Sequence, residues 1–276
     1  MKKKTSPPCL IKKSDGATLY ATRDIAAALY RKEQYQFYQS IYVVGHEQSL
    51  HFKQIEVVLN KMGYRWSEDL IHIPFGLILK NGKKMSTRKG KVVLFEEVLN
   101  QSINMTLKNI EEKNPQLENK EEVAKMVGVG AIVFHDLKNF RLNDVEFSLE
   151  DMVRFDGETG PYVQYTYARG CSILRKAHWH LETFTIESMN GWNDEWPIIT
   201  LLTEFPSVVH KAYEIYDPSR IAKYIIDLSQ AFNKYYGKVN ILHSENKQTK
   251  LLVVYAVTVV LKEGLRLLGI QAPEKM

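Results

Sequence analysis

Cysteine is scarce in this chain. Cys9 and Cys171 are the only two, far apart, with no CxxC pair and no Cys/His cluster at zinc spacing. That excludes a disulfide scaffold and a structural metal module, and it fits the reduced thiols of a cytoplasmic protein. Long apolar runs are lacking too. The longest, Leu251 to Leu261, is well short of the ~20 residues that cross a bilayer and reads as a helix buried on most sides. The start, Met1-Lys2-Lys3-Lys4-Thr5-Ser6-Pro7-Pro8, has no apolar core or cleavage site of a signal peptide. It reads as a linker or as a chain opened in mid-domain. No repeat is present. What remains is an ordinary globular balance, 45% hydrophobic and 25% charged residues over 276 positions, room for two domains with proper cores. The net charge of +5 permits a nucleic-acid partner without requiring one.

The first third alternates. Thr18 to Thr22 reads as a short strand and Arg23 to Arg31 as a helix. Ser40 to Val44 is a β-branched run ending at Gly45, Gln48 to Met62 is helical, and Leu70 to Leu79 is extended. Such β-α-β-α-β order implies parallel strands with crossover helices, an open α/β sheet whose ligands sit at the carboxyl ends of the strands. Thr22-Asp24, Gly45-His51 and the basic run after Leu79 are all expected at that edge. From Leu94 the periodicity is helical: Phe95–Ile110, Val123–Leu137, then, past a connector with Ser148 as a helix cap, a helix opened by Thr159-Gly160-Pro161. Patterns near Glu195–Tyr213, Pro218–Leu242 and Thr249–Leu268 complete an all-α second part. The fold class is α/β plus all-α, with domains at 1–154 and 155–276 and a helical connector from about residue 91.

Three clusters carry candidate chemistry. Lys83-Lys84-Met85-Ser86-Thr87-Arg88-Lys89-Gly90 follows the tight turn Asn81-Gly82. Its cations, hydroxyls and glycine suit a polyphosphate, although taken alone the run reads better as a solvated basic turn. Tyr20 and Asp24 place a phenol and a carboxylate four residues apart at a strand-to-helix junction. Spacing alone favours a helix-start carboxylate there, with Thr22 as the cap. Gly45-His46-Glu47-Gln48-Ser49-Leu50-His51 opens a helix after a strand. It suits either an anion at free amides or an ordinary turn with His51 packed on the sheet.

Lys84-Met85-Ser86-Thr87-Arg88 resembles the KMSKS signature of class I aminoacyl-tRNA synthetases, with Thr87 where the second Lys usually stands. Arginyl-tRNA synthetases often lack that Lys. The chain resembles them further in Cys9-Leu10-Ile11, Ser14-Asp15-Gly16 and Tyr20 to Asp24, in the intact G-x-x-Q-x-x-H of Gly45 to His51, in Asp156-Gly157-Glu158-Thr159-Gly160-Pro161-Tyr162-Val163-Gln164-Tyr165 with Arg169, and further on in Phe232-Asn233-Lys234-Tyr235-Tyr236. Asp217-Pro218-Ser219-Arg220 stands where the DALR signature of the anticodon-binding bundle is expected, and the Leu268–Met276 end is similar to the family's C-terminus.

The resemblance implies the second half of a Rossmann-type synthetase sheet followed by a helical anticodon-binding (DALR) bundle. It further implies that Tyr20, Asp24 and Gln48 select arginine. Gly45, His46, His51 and Met85 face ATP, while Lys84, Ser86, Thr87, Arg88 and Lys89 steady the departing phosphates. A carboxylate suits arginine, since it takes a planar guanidinium bidentately and rejects lysine's point charge. By the same match Arg169, Tyr236 and Met276 form the anticodon pocket, where Tyr and Arg can stack on unpaired bases; residue type alone leaves a packing role open for each. The implied partners are L-arginine, ATP with Mg²⁺ as its counter-ion, and tRNA(Arg), in an enzyme acting as a monomer without a membrane or a structural metal.

The family's HIGH motif has no counterpart, as no His-x-Gly-His occurs and His46-Glu47 is a poor substitute. The expectation is therefore a C-terminal piece of an arginine–tRNA ligase, inactive by itself. A stand-alone tRNA-binding module with a degenerate catalytic half is the alternative. A synthetase for another amino acid fits Tyr20 and Asp24 less well.

Overall fold

The computed structural model describes residues 7–84, 94–183 and 194–276. Packing divides the chain into two compact units, Met1–Leu77 with Arg141–Asp144, and Ile78–Phe140 with Val145–Met276. The helices from Phe95 onward thus pack with the C-terminal bundle, a division made earlier in the chain than the 154/155 boundary read from sequence.

The first unit runs α1 (Tyr20–Tyr35), β1 (Ser40–Gly45), α2 (Ser49–Lys61) and β2 (Leu70–Phe75). Strands β1 and β2 pair in parallel from Ser40↔Leu70 to Gly45↔Phe75, with α2 as their crossover. Ile25 and Ala28 of α1 and Ile55 and Leu59 of α2 form its core, flanked by Phe52, Trp66 and Leu70. The strand expected at Thr18–Thr22 does not form. Tyr20 already belongs to α1, and only a single bridge, Lys12↔Thr18, is present. Ala21, Ile25 and Ala28 are the buried residues of α1; their i, i+4, i+7 spacing is a helical stripe, and extending the helix back to Tyr20 buries Ala21 with the rest. Thr22 is accordingly not the cap. Leu19 stands at that position without a side-chain bond, and the Thr22 hydroxyl donates to the Ile11 carbonyl.

The extended Leu70–Leu79 segment breaks after Phe75. Gly76 donates its N–H to Arg141 O at 2.7 Å, and a Cβ on Gly76 would lie 2.4 Å from Asn143 O, so the close backbone approach needs glycine.

In the second unit β3 (Ile78–Lys80) and β4 (Lys83–Lys84) form a hairpin, with β5 (Val145–Glu146) parallel to β3. Helices α3 (Phe95–Lys113) and α4 (Lys120–Leu137) form a close pair. Four more helices make the bundle: α6 (Gly160–Lys176), α7 (Trp196–Glu214), α8 (Ser219–Lys238) and α9 (Lys247–Leu267), preceded by the short α5 (Leu149–Met152). The caps fall where the sequence puts them. Ser148 accepts from Asp151 N–H at 3.4 Å and Thr159 from Tyr162 N–H at 3.2 Å, with Pro161 in the first turn of α6. Leu251, Val254, Val257, Leu261 and Leu265 of α9 are buried against Ile225, Leu228 and Phe232 of α8 and Val163 and Tyr167 of α6, which makes α9 the apolar centre.

Helices α3 and α4 approach so closely that a Cβ on Gly128 would lie 2.8 Å from both Cα and N of Ile103. Ser102 Oγ donates to Gly128 O at 2.8 Å across the same crossing. Since backbone cannot rotate away as a side chain can, Gly128→Ala is expected to destabilise the chain by about 1–3 kcal/mol, read as a lowered midpoint in urea. Gly63→Ala, where the added Cβ meets nothing within 4 Å but φ is +94°, would cost only backbone strain, about 1 kcal/mol.

Candidate functional site

Two places in the chain gather the candidate residues, one in each unit. In the first, the carboxyl ends of β1 and β2 carry Gly45 and Phe75 side by side. A short 3₁₀ turn, His46–Gln48, leads from there into α2. Its geometry is fixed by Ser49 Oγ donating to His46 O at 2.7 Å and by His46 Nδ1 lying 3.3 Å from Phe75 O. Gly45 has an ordinary backbone, φ −51°, and a Cβ there would make only van der Waals contact. The protein itself therefore does not require glycine at 45.

Asp24 lies in the second turn of α1, past the first turn where a helix-dipole role would place it; that first turn holds no acid. Its Oδ2 instead meets His51 Nε2 at 2.6 Å, with the Asp24 side chain about half exposed at 48%. The structure thus joins two residues assigned separately, one to arginine and one to ATP. Tyr20, one turn before Asp24, is 80% exposed, and Gln48 is exposed as well. Next to His51 in sequence, Phe52 packs against the rings of Tyr42 and His72, with centroids at 5.0 and 4.5 Å, while His72 Nε2 sits 3.0 Å from Val44 O. His72 was not singled out from sequence; an isolated His in a strand gives no signal. Of the basic run, Lys84 ends β4 in the second unit, and Met85, Ser86, Thr87, Arg88 and Lys89 lie outside the described residues.

In the second unit a cavity of about 840 Å³ is lined by α6, the end of α8 and the C-terminal tail. Arg169, Tyr236 and Met276, predicted together, all line it. The Arg169 guanidinium carbon lies 4.8 Å from the Tyr165 ring centroid and 5.1 Å from that of Tyr236, so the cation is stacked between two rings that are each about two-fifths exposed. Asn233 fixes it there. Its Oδ1 accepts from Arg169 Nη1, and its Nδ2 donates to Tyr162 Oη at 3.0 Å and Thr166 Oγ1 at 2.8 Å. Met276 is held through its main-chain oxygen, which accepts from Asn114 Nδ2 at 3.1 Å, and its side chain packs on the Ile110, Leu117, Val123 cluster. Arg169, Arg175, Lys176 and Lys275 outnumber Glu118 and Glu274 around the rim, a net positive lining with exposed π faces.

The Asp217-Pro218-Ser219-Arg220 stretch, in contrast, is a helix start. Asp217 is buried, and its Oδ1 accepts from Ser219 N–H at 3.2 Å and Ser219 Oγ at 2.7 Å. Tyr165 and Asn233 fall within the stretches that carry the family resemblance, but the sequence gives neither of them a role of its own.

Among the described residues no group of three or more His, Cys, Asp or Glu is placed to hold a metal ion, and no helix is long and apolar enough to cross a membrane.

Comparison with known proteins gives consistent matches. The family description "tRNA synthetases class I (R), catalytic domain" matches residues 4–149, and "DALR anticodon binding domain" matches residues 163–276. Arginine–tRNA ligase 2 of Bacillus anthracis is 60% identical over 271 residues, covering 98% of this chain and 48% of that protein. The arginine–tRNA ligase of Enterococcus faecalis is 59% identical over 270 residues, with the same coverage. Among solved structures, Thermus thermophilus arginyl-tRNA synthetase superposes with a TM-score of 0.85 at 30% identity, covering 96% of this chain and 50% of its own. The Plasmodium falciparum enzyme gives 0.84 at 25% identity, covering 96% and 46%. The chain spans about half the length of the curated relatives it matches. By sequence and by fold it belongs to the class I arginyl-tRNA synthetases, with part of their catalytic domain followed by their DALR bundle.

Proposed function

We propose that the chain is the part of an arginine–tRNA ligase that selects arginine, steadies the phosphates of ATP and reads the anticodon of tRNA(Arg). The observation that carries this reading is the stacked Arg169 between Tyr165 and Tyr236 at the rim of a basic cavity. Arg169 also links α6 to α8 through Asn233, but that link alone leaves the two partly exposed rings beside it unexplained. An unpaired base offers another flat π system and hydrogen-bonding edges to such a site.

In the reaction, the carboxylate of arginine attacks the α-phosphate of ATP, giving arginyl-adenylate and pyrophosphate. A hydroxyl of the tRNA's terminal ribose then takes the acyl group as an ester, and AMP leaves. Tyr20, Asp24 and Gln48 take the guanidinium side chain, and Gly45, His46, His51 and Met85 face ATP. Lys84, Ser86, Thr87, Arg88 and Lys89 stabilise charge on the leaving phosphates, with Mg²⁺ entering as the counter-ion of ATP. His51 at 2.6 Å from Asp24 orients the carboxylate and leaves Oδ1 for the incoming cation. The functional division at 154/155 and a cytoplasmic, monomeric enzyme belong to the same reading.

Three outcomes follow. The purified 276-residue chain, which carries no His-x-Gly-His, should not charge tRNA with arginine; measurable arginylation contradicts this. In an enzyme that has the remaining half of the family's length, Asp24→Asn should lower kcat/KM for arginine at least about tenfold, ~1.4 kcal/mol, and leave the KM for ATP nearly unchanged. Equal effects on both substrates would return Asp24 to a structural role. The third concerns the cavity. The chain should bind an arginine tRNA anticodon stem-loop weakly and with strong salt dependence, and Tyr236→Ala should weaken it by roughly 1–3 kcal/mol. Equal affinity for cognate and anticodon-swapped stem-loops at low salt would remove the anticodon assignment and leave general RNA attraction. That result would favour neither the ligase nor a stand-alone tRNA-binding module.

A further inference from the structure

The β3–β4 hairpin is too short to hold itself. It has two rungs, Leu79↔Lys84 and Lys80↔Lys83, and even longer isolated hairpins are marginal in water. Its turn residues are both left-handed, Asn81 at φ 53° and Gly82 at φ 67°, which suits Asn-Gly but leaves two turn amides to be satisfied. Both find one carboxylate. Asn81 N–H donates to Glu146 Oε1 and Gly82 N–H to Glu146 Oε2 at 3.1 Å.

Glu146 is itself fixed from two sides. Strand β5 pairs with β3 through Ile78↔Val145 and Leu79↔Glu146. Phe147 N–H donates to Leu79 O at 2.8 Å, and Glu146 O meets His135 Nε2 of α4 at 3.1 Å. Burial lowers the pKa of His135 below the usual imidazole value, which favours the neutral ring with Nε2–H as the donor. The turn is therefore tied, through the side chain and the main chain of one residue, to helix α4.

We propose that Glu146 is a positioning residue: its carboxylate clamps the Asn81-Gly82 turn and so sets the register of Lys84, the first residue of the Lys84–Arg88 signature. This rests on the phosphate role of Lys84 given above. A carboxylate suits the task better than an amide, because both of its oxygens accept and each bond is charge-assisted. A glutamine offers one acceptor oxygen and turns an N–H₂ toward the second amide.

The test is amide exchange and cross-strand contacts by NMR on the ¹⁵N-labelled chain, followed by titration with inorganic pyrophosphate. In the wild type the Asn81 and Gly82 amides should exchange at least about tenfold slower than in an unstructured peptide, and Leu79 should show nuclear Overhauser contacts to Lys84. In Glu146→Gln both protections should fall about tenfold and the Leu79–Lys84 contacts should weaken, with the midpoint of global unfolding unchanged. Pyrophosphate should shift the Lys84 amide in the wild type and do so several-fold more weakly in the variant. Unprotected turn amides in the wild type would overturn the clamp whether or not the variant folds. Protection and contacts unaltered in Glu146→Gln would overturn it as well. A wild type with the clamp intact but no response of Lys84 to pyrophosphate would uphold the positioning of the hairpin and remove the phosphate role of Lys84.

Discussion

The basic cavity depends on one buried amide. Gln164, on α6, is fully buried and gives both protons of Nε2 to main-chain carbonyls, Met126 O on α4 at 3.2 Å and Gln271 O on the C-terminal tail at 2.7 Å. Those two acceptors come from segments far apart in the chain, and neither regular helix nor sheet pairing would satisfy Gln271. The Gln164 Oε1 already lacks a protein partner; moving the tail away would leave a proton of the buried Nε2 unpaired as well, at about 1–3 kcal/mol, which favours this place for the tail. Once it lies there, Ile270 enters the bundle core and Met276 reaches Asn114 and the α3–α4 cluster. Small residues make this approach possible. A Cβ on Gly130 would sit 2.9 Å from Gln164 Nε2, and one on Gly160 would sit 2.9 Å from Gly130 O.

The opposite wall of the cavity is stiffened in a different way. Tyr235 points inward, where its hydroxyl donates to Glu195 Oε1 at 2.8 Å, and Lys250 Nζ reaches the same oxygen at 3.1 Å. Burial, with Glu195 beside it, pushes the Tyr235 phenol well above its ordinary pKa and keeps it a neutral donor. Its neighbour Tyr236 then faces the other way, toward Arg169. A buried ion pair of this kind adds little net stability but strongly disfavours alternative packings that would leave Glu195 uncompensated. Tyr236, the ring that lines the cavity, thus sits beside a ring anchored in the core.

Local signals were legible in the sequence, and contacts were not. Thr159 and Ser148 read as caps because capping is decided within three residues. The apolar stripe of α9 read as a core helix for the same reason. The Thr18–Thr22 strand failed because the helical stripe of Ala21, Ile25 and Ala28 outweighs the β preference of Thr and Tyr. The Asp24–His51 contact, the Asn233 anchor of Arg169 and the Asn114 hold on Met276 join residues 27, 64 and 162 positions apart, and composition carries no trace of them. That Arg169, Tyr236 and Met276 line one cavity has no local signal either; only the resemblance to a family groups them. Glu146 had no local signal at all; a surface glutamate in a charged chain looks like any other.

The central claim is that the stacked guanidinium is where RNA bases are read. Its most direct test is the Arg169 side-chain Nε–H resonance, followed by NMR as an arginine tRNA anticodon stem-loop is added at low salt. This resonance and the ring protons of Tyr165 and Tyr236 should shift together, saturating at one concentration, and an RNA duplex without unpaired bases should leave them in place. Shifts confined to surface lysines, with Arg169 and both rings unmoved at saturation, would contradict that claim.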